Sequence, residues 1–250
     1  MHTHLSTPQL PQMSEIWQDT LSWQPTPEQQ QQFQRLYEEI LSANRTLNLT
    51  RITEPMAFWE KHLWDSLRAF KPIWERQMSV ESAIDIGTGA GVPGLPAAIV
   101  EPLCHITLLD ATRKKTAFLE TLLPTLAIEN ATVLTGRAEV LGRHPHYKNT
   151  YDLAFLRAVG SPSLCAEYAL PFLKPNGWAI LYRGLLTDED MESLTSTAER
   201  FGGTVEFVEA FTTPLTQAVR HCVYLRKLET ETHAKSGLIS PRFESPKLRN

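Results

Sequence analysis

The stretch Ala83-Ile84-Asp85-Ile86-Gly87-Thr88-Gly89-Ala90-Gly91-Val92-Pro93-Gly94 decides the fold. A short apolar run is broken by one acid, and four glycines follow within eight residues. β-branched Ile84 and Ile86 suit a buried strand, and the glycines mark a turn that tolerates no side chains. Pro93 fits the first turn of a helix, where a missing N–H costs nothing. Strand, glycine turn and helix bring bare backbone against a nucleotide-like ligand at the carboxyl edge of a parallel sheet.

Outward from this stretch the pattern alternates. Candidate strands lie at 82–86, 105–110, 131–135, 152–157, 177–182, 204–210 and 219–226. Helical stretches separate the first five, as at 112–126 and 163–172, which argues for right-handed βαβ units and a mostly parallel sheet. The last two candidates share a short connection containing Pro214, so they pair as an antiparallel hairpin. A parallel sheet ending in a hairpin is the architecture of S-adenosylmethionine-dependent methyltransferases rather than a plain dinucleotide fold. The expected class is therefore α/β and Rossmann-like, with a seven-stranded, mostly parallel sheet and a helical N-terminal extension.

That extension covers residues 13–79 and reads as a cap on the methyltransferase core at 80–228. Ile16, Trp17 and Leu21 line one side of a short helix from Ser14. Thr26-Pro27 caps a longer helix in which Phe33, Leu36, Tyr37, Ile40 and Leu41 form an apolar face. The glutamines from Gln29 to Gln32 read as its solvated first turn. A third helix follows Pro55 and carries Phe58, Trp59, His62, Leu63, Asp65 and Ser66. Residues 1–12 read as a disordered lead and 229–250 as a flexible basic tail, either phosphate-touching or simply solvated.

Composition bounds the function. Hydrophobic content of 42% and charged content of 21% are ordinary for a globular chain. A net charge of -4 leaves any nucleic-acid site to a local basic patch. Cys104, Cys165 and Cys222 are three, far apart and without CxxC spacing, so structural zinc and a disulfide framework are disfavoured. With neither a signal peptide nor an apolar run of membrane-spanning length, the expected home is the cytoplasm.

Gly89-x-Gly91-x-x-Gly94 satisfies the dinucleotide pattern formally, but it sits late, because the strand ends at Ile86 and the turn opens at Gly87. In a methyltransferase, Asp85 stands beside the methionine part of the ligand. Asp110, at the end of the second strand, is placed to accept both ribose hydroxyls, which NAD and S-adenosylmethionine share. Arg137-Ala138-Glu139 follows the third strand, where backbone can meet an adenine edge; an ordinary charged loop fits equally. Arg157 ends the fourth strand and can hold an anion or cap the core in a salt bridge. No Asn-Pro-Pro-Tyr motif and no Pro-Cys pair appear, which disfavours amine and cytosine-C5 chemistry. His62 reads as a packed histidine rather than a catalyst.

Taken together, Asn48-Leu49-Thr50-Arg51-Ile52, Lys61-His62-Leu63-Trp64-Asp65-Ser66-Leu67, Asp85 through Pro96, Leu109-Asp110 with Lys114-Lys115 and Phe118-Leu119, and Arg157-Ala158-Val159 resemble the glucose-inhibited division protein B family of ribosomal RNA small-subunit methyltransferases. The similarity runs in order over residues 30–228. It implies methyl transfer from S-adenosyl-L-methionine to N7 of a guanine in 16S rRNA, free or in the small ribosomal subunit. It also implies cofactor contacts at Gly87, Val92, Asp110, Ala111, Thr112, Ala138, Glu139 and Arg157, with no catalytic acid–base residue and no metal. A monomer is the expected state. Two departures stand out: a longer loop from Leu141 to Thr150, and a family tail reduced to Ser240-Pro241-Arg242 and Pro246-Lys247. Arg45, Arg51, Arg113, Lys114 and Lys115 are candidates for RNA phosphates. An RNA- or ribosome-binding protein with a vestigial pocket is the alternative, and a nicotinamide oxidoreductase the second; intact glycines with Asp85 and Asp110 disfavour the first, the early turn and terminal hairpin the second.

Overall fold

The computed structural model describes residues 8–229. Most of the basic tail, and residues 1–7 of the lead, lie outside the described residues. Helices α1 (Ser14–Leu21), α2 (Pro27–Leu47), α3 (Pro55–Phe58), α4 (Asp65–Arg68) and α5 (Lys71–Glu75) precede strand β1 (Ser82–Ile86). Then follow α6 (Gly94–Val100), β2 (His105–Asp110), α7 (Arg113–Thr125), β3 (Ala131–Thr135), α8 (Ala138–Leu141), β4 (Tyr151–Arg157) and α9 (Pro162–Ala169). The chain continues through β5 (Leu173–Arg183), α10 (Asp188–Arg200), β6 (Gly203–Thr212) and β7 (Val219–Lys227).

The seven strands lie in the order β3-β2-β1-β4-β5-β7-β6. Strands β1 to β5 pair in parallel, and β7 runs antiparallel to both β5 and β6. Strand order reverses between β1 and β4, so a crevice opens at their carboxyl ends, the usual ligand position in open α/β sheets. Alternation along β1 splits the core. Ile84 and Ile86 join the cluster under α9 and α10, while Ala83 joins the one that holds the N-terminal helices. Both faces are covered, which is why β1, β2 and β4 read as nearly unbroken apolar runs.

Pro93 departs from its expected place. It is the N-cap residue, and α6 opens at Gly94. The third helix also differs, because its hydrogen bonding widens to the i→i+5 pattern across Trp59–Trp64 before returning to α at Asp65. That wide turn buries Trp59, Glu60, His62, Leu63 and Trp64 together, more side chains than one face of a regular helix can turn inward.

Local chemistry opens α2 as its sequence suggests: Thr26 Oγ1 accepts from Gln29 N at 3.3 Å, and Gln29 Oε1 accepts from Thr26 N at 2.9 Å. The glutamine run is more than a solvated turn. Gln29 Nε2 donates to Ile99 O at 3.1 Å and Gln32 Nε2 to Leu126 O at 3.0 Å, tying α2 to the helices beside β2. Residues 8–12 form neither helix nor strand, and Leu10 N donates to Gln34 Oε1 at 2.8 Å.

The N-terminal helices are bolted to the sheet by polar contacts as well as by core. Tyr182 Oη donates to Ser66 O and Tyr224 Oη to Ala69 O, each at 2.8 Å. Arg68 holds Glu209 through two N–H groups at 3.0 and 2.7 Å. Glu60, fully buried, accepts from Leu215 N at 2.7 Å, Thr216 N at 2.8 Å and Thr216 Oγ1 at 2.7 Å. The wide turn thereby grips the β6–β7 loop.

Candidate active site

The site starts from the backbone of the glycine turn. Gly87, Gly89 and Gly91 have φ of +74°, +59° and +88°, where L side chains are strained. Gly87 N and Thr88 N donate to Leu109 O at 2.8 and 3.0 Å, pinning the turn to the end of β2. A Cβ on Gly91 would come within 2.3 Å of Leu95 Cδ1, whereas one on Gly89 would meet nothing nearer than Gly87 O at 3.9 Å. Gly91 is therefore a packing glycine, and Gly89 turns its bare face to open space.

Asp85 lies under the turn. It is 1% exposed, and its Oδ2 accepts from Thr88 Oγ1 at 2.6 Å and from Gly94 N at 2.7 Å. Burial pushes its pKa up to about 6 against the pull of those two hydrogen bonds. The expectation of a carboxylate standing beside the ligand thus meets a different geometry: one oxygen ties the loop to the start of α6. The other, Oδ1, is buried without a partner.

Asp110 is buried at 7% exposure and points back at the turn. Its Oδ2 accepts from Gly89 N at 3.0 Å and its Oδ1 from Thr112 N at 2.8 Å. Two donors use two of the roughly four lone-pair positions on an ionised carboxylate, so both oxygens keep acceptor capacity in a fixed orientation. Gly136 N donates to Asp110 O at 3.1 Å, which brings the loop after β3 alongside. Gly87, Asp110, Ala111, Thr112, Ala138 and Glu139 accordingly lie at the carboxyl ends of β1, β2 and β3, the last two in the first turn of α8. Gly87, Ala111 and Thr112 are exposed and Glu139 is half-buried, but Val92 and Ala138 are buried, leaving little of either side chain accessible.

Arg157, at the end of β4, spends its guanidinium on the N-terminal helices. Its Nη1 donates to Lys61 O at 2.5 Å and lies 3.6 Å from Asp65 Oδ2, while Nη2 lies 3.0 Å from His62 Nδ1. Of its two readings, the structure realises the salt bridge. His62 Nε2 in turn lies 2.8 Å from Thr50 Oγ1. Sequence reasoning did not foresee this relay. Its one local signal was His62 and Asp65 at i, i+3 spacing on a helix, which puts both on one face. Arg45, Arg51, Arg113 and Lys114 are exposed, and the last two stand in the first turn of α7, where cations oppose the helix dipole.

Among the described residues, no group of three His, Cys, Asp or Glu side chains is placed to hold a metal ion. Nor is any helix among them long and apolar enough to cross a membrane. The sheet order with its terminal hairpin, the glycine turn and the inward acid at the end of β2 define an S-adenosylmethionine-dependent methyltransferase. The fold is shared with a branched-chain polyamine synthase of Thermus thermophilus, at a TM-score of 0.53 and 11% identity over 67% of this chain and 57% of that one. Residues 29–223 match the family model described as rRNA small subunit methyltransferase G. The ribosomal RNA small subunit methyltransferase G of Nostoc punctiforme is 56% identical over 223 residues, covering 88% of this chain and 91% of the relative. That of Trichodesmium erythraeum is 54% identical, covering 88% and 87%. The chain belongs to the rRNA small subunit methyltransferase G family.

Proposed function

We propose that the protein transfers a methyl group from S-adenosyl-L-methionine to N7 of one guanine in 16S rRNA. The match of residues 29–223 to the rRNA small subunit methyltransferase G family carries the reading, and the Asp110 carboxylate, held by Gly89 N and Thr112 N with acceptor capacity left on both oxygens, supports its cofactor half. An acid so placed accepts two ribose hydroxyls. The bare face of Gly89 and the unpartnered, buried Asp85 Oδ1 fit the same cofactor, the first by leaving room and the second by offering a negative site near the turn.

When bound, S-adenosyl-L-methionine supplies an electrophilic methyl group on a sulfonium. Gly87 and Val92 would frame its methionine end with backbone, Asp110, Ala111 and Thr112 its ribose, and Ala138 and Glu139 its base. Arg157 would act from the opposite wall, by holding the wide turn and its own loop, Ala158-Val159, in place. Guanine N7 has a free lone pair and no proton, so the protein need not supply a general base. Its work is orientation and exclusion of water. Because N7 faces the deep major groove of A-form RNA, the target guanine must be unpaired or splayed.

The cytoplasm is the home assigned on this reading, and a monomer is sufficient for it. Incubation with 16S rRNA or with small subunits and labelled cofactor, followed by mapping of the product, tests it. Label on guanine N7 is expected. Label on another atom, or none with either substrate, overturns it.

A further inference from the structure

A second cleft of about 260 Å³ opens at the carboxyl ends of β4 and β5 and the start of β7. Its walls include Asp65, Arg157, Tyr182, Arg183, Arg220 and His221. Strand register sets them side by side: Arg157 pairs with Tyr182 across β4 and β5, and Arg183 pairs with His221 across β5 and β7. Three guanidinium groups and a single carboxylate therefore share one small space. Asp65 is taken up by Arg157, at 3.6 Å. Arg183 and Arg220 form no ion pair among the described residues. Arg183 Nη1 donates to Gly160 O at 2.5 Å and Arg220 Nη1 to Val219 O at 3.3 Å. The Arg183 Nε–H is buried and has no acceptor.

Such a cleft is unfavourable as it stands. Like charges repel across it, and a buried N–H without an acceptor forgoes its hydrogen bond. An anion with several oxygens relieves both at once, and forked guanidinium groups suit a phosphate best. S-adenosyl-L-methionine carries no phosphate, whereas every nucleotide of RNA does. We propose that Arg183 and Arg220 bind a backbone phosphate of the substrate RNA, next to the nucleotide that receives the methyl group. The assignment rests on the rRNA methyltransferase reading above. It places the RNA strand on the β4–β5–β7 side of the crevice, opposite the glycine turn and Asp110. His221 lies at the rim, its ring fixed by the contact of Nδ1 with Gly184 O at 2.7 Å.

The test compares the wild-type chain with Arg183→Ala, Arg220→Ala and the double variant. Calorimetry reads S-adenosyl-L-methionine affinity, and fluorescence anisotropy reads binding of a 16S rRNA fragment over a series of salt concentrations. The double variant should bind RNA about tenfold or more weakly at low salt. Its slope of log affinity against log salt should fall by about 0.7 for the lost single-strand phosphate. Cofactor affinity should not move. Arg220→Lys keeps the charge and loses the fork, so it should keep the salt slope while losing part of the affinity; it serves if an alanine variant does not fold. Unchanged RNA affinity and slope in the double variant overturns the proposal. So does weakened cofactor binding with unchanged RNA binding, which would give the cleft to the methionine carboxylate. A wild-type protein that binds the fragment but methylates no rRNA sinks the methyl-transfer reading alone, since the salt series still reports on the cleft.

Discussion

Arg157 Nη2 lies 3.0 Å from His62 Nδ1, and that contact decides the state of the histidine. A guanidinium can only donate, so Nδ1 must accept. The ring is then neutral, with its proton on Nε2, where it is donated to Thr50 Oγ1 at 2.8 Å. Thr50 Oγ1 also accepts from Ile52 N at 3.0 Å, which draws in the turn after α2. Asn48–Ile52, the Lys61–Leu67 stretch and the end of β4 are far apart in the chain, yet they meet in one hydrogen-bonded relay.

The relay predicts a pH dependence. Burial first, then the charge of Arg157, lowers the His62 pKa from 6.5 to about 3. The unfolded chain takes up a proton near 6.5 and the folded chain does not, so this contribution to stability is complete above 6.5 and shrinks as pH falls. Each unit between about 6.5 and 3 should remove about 1.4 kcal/mol. Asp85 acts in the other sense: its folded pKa of about 6 lies above 3.8, so its contribution grows as pH falls through that window. The difference between wild type and His62→Gln in urea unfolding isolates the histidine. The gap should narrow steadily with acidity, and a gap independent of pH would contradict the neutral, buried ring.

Asp110→Ala should weaken S-adenosyl-L-methionine binding by about 10- to 100-fold, the scale of hydrogen bonds to a charged group. Asp110→Asn keeps one acceptor oxygen and should fall between. Calorimetry decides, and an unchanged affinity would remove Asp110 from the site.

Two alanine variants of the glycine turn should behave oppositely. Gly91→Ala forces a Cβ to within 2.3 Å of Leu95 Cδ1 at φ +88°, and should cost about 2–3 kcal/mol of stability through overpacking and backbone strain. Gly89→Ala meets no neighbour within 3.9 Å, so only the left-handed backbone, about 1–2 kcal/mol, opposes it. Its methyl group enters the open face and should abolish cofactor binding in a chain that still folds. Thermal unfolding alongside calorimetry separates the two, and equal cofactor affinity in Gly89→Ala and wild type would show that the face is not used.

Glu60→Ala should destabilise by about 2–3 kcal/mol, because it leaves the backbone N–H groups of Leu215 and Thr216 without an acceptor. Leu215 N and Thr216 N, at 2.7 and 2.8 Å from Oε1, should lose protection in hydrogen exchange before the rest of β6 and β7. Loss spread evenly over the hairpin would mean that Glu60 does not grip the loop.

The sheet was legible in the residues. β1 and β2 have the bounds their apolar runs suggest, since strands buried on both faces must stay apolar between one loop and the next. Strand β5 runs further, from Leu173, because Tyr151 pairs with Leu173 ahead of a bulge that spacing alone does not reveal. The acid at the end of β2 was equally plain, because its place follows from strand length and a loop that must turn.

What the chain determined unaided was local: where runs begin and end, which glycines turn, which face of α2 is apolar. Those depend on neighbours within a few residues, and sequence displays them directly. Only the folded molecule decided the direction of each charged side chain. Asp85 ties Gly94 through one oxygen, because α6 starts directly above it, and keeps the other buried without a partner. Arg157 could have held an anion and instead holds Lys61, His62 and Asp65, because the wide turn packs across the end of β4. Arg183 and Arg220 carried no signal at all, since their proximity comes from the antiparallel register of β5 and β7. A charge's role depends on what is left to neutralise it, and that is a property of three dimensions.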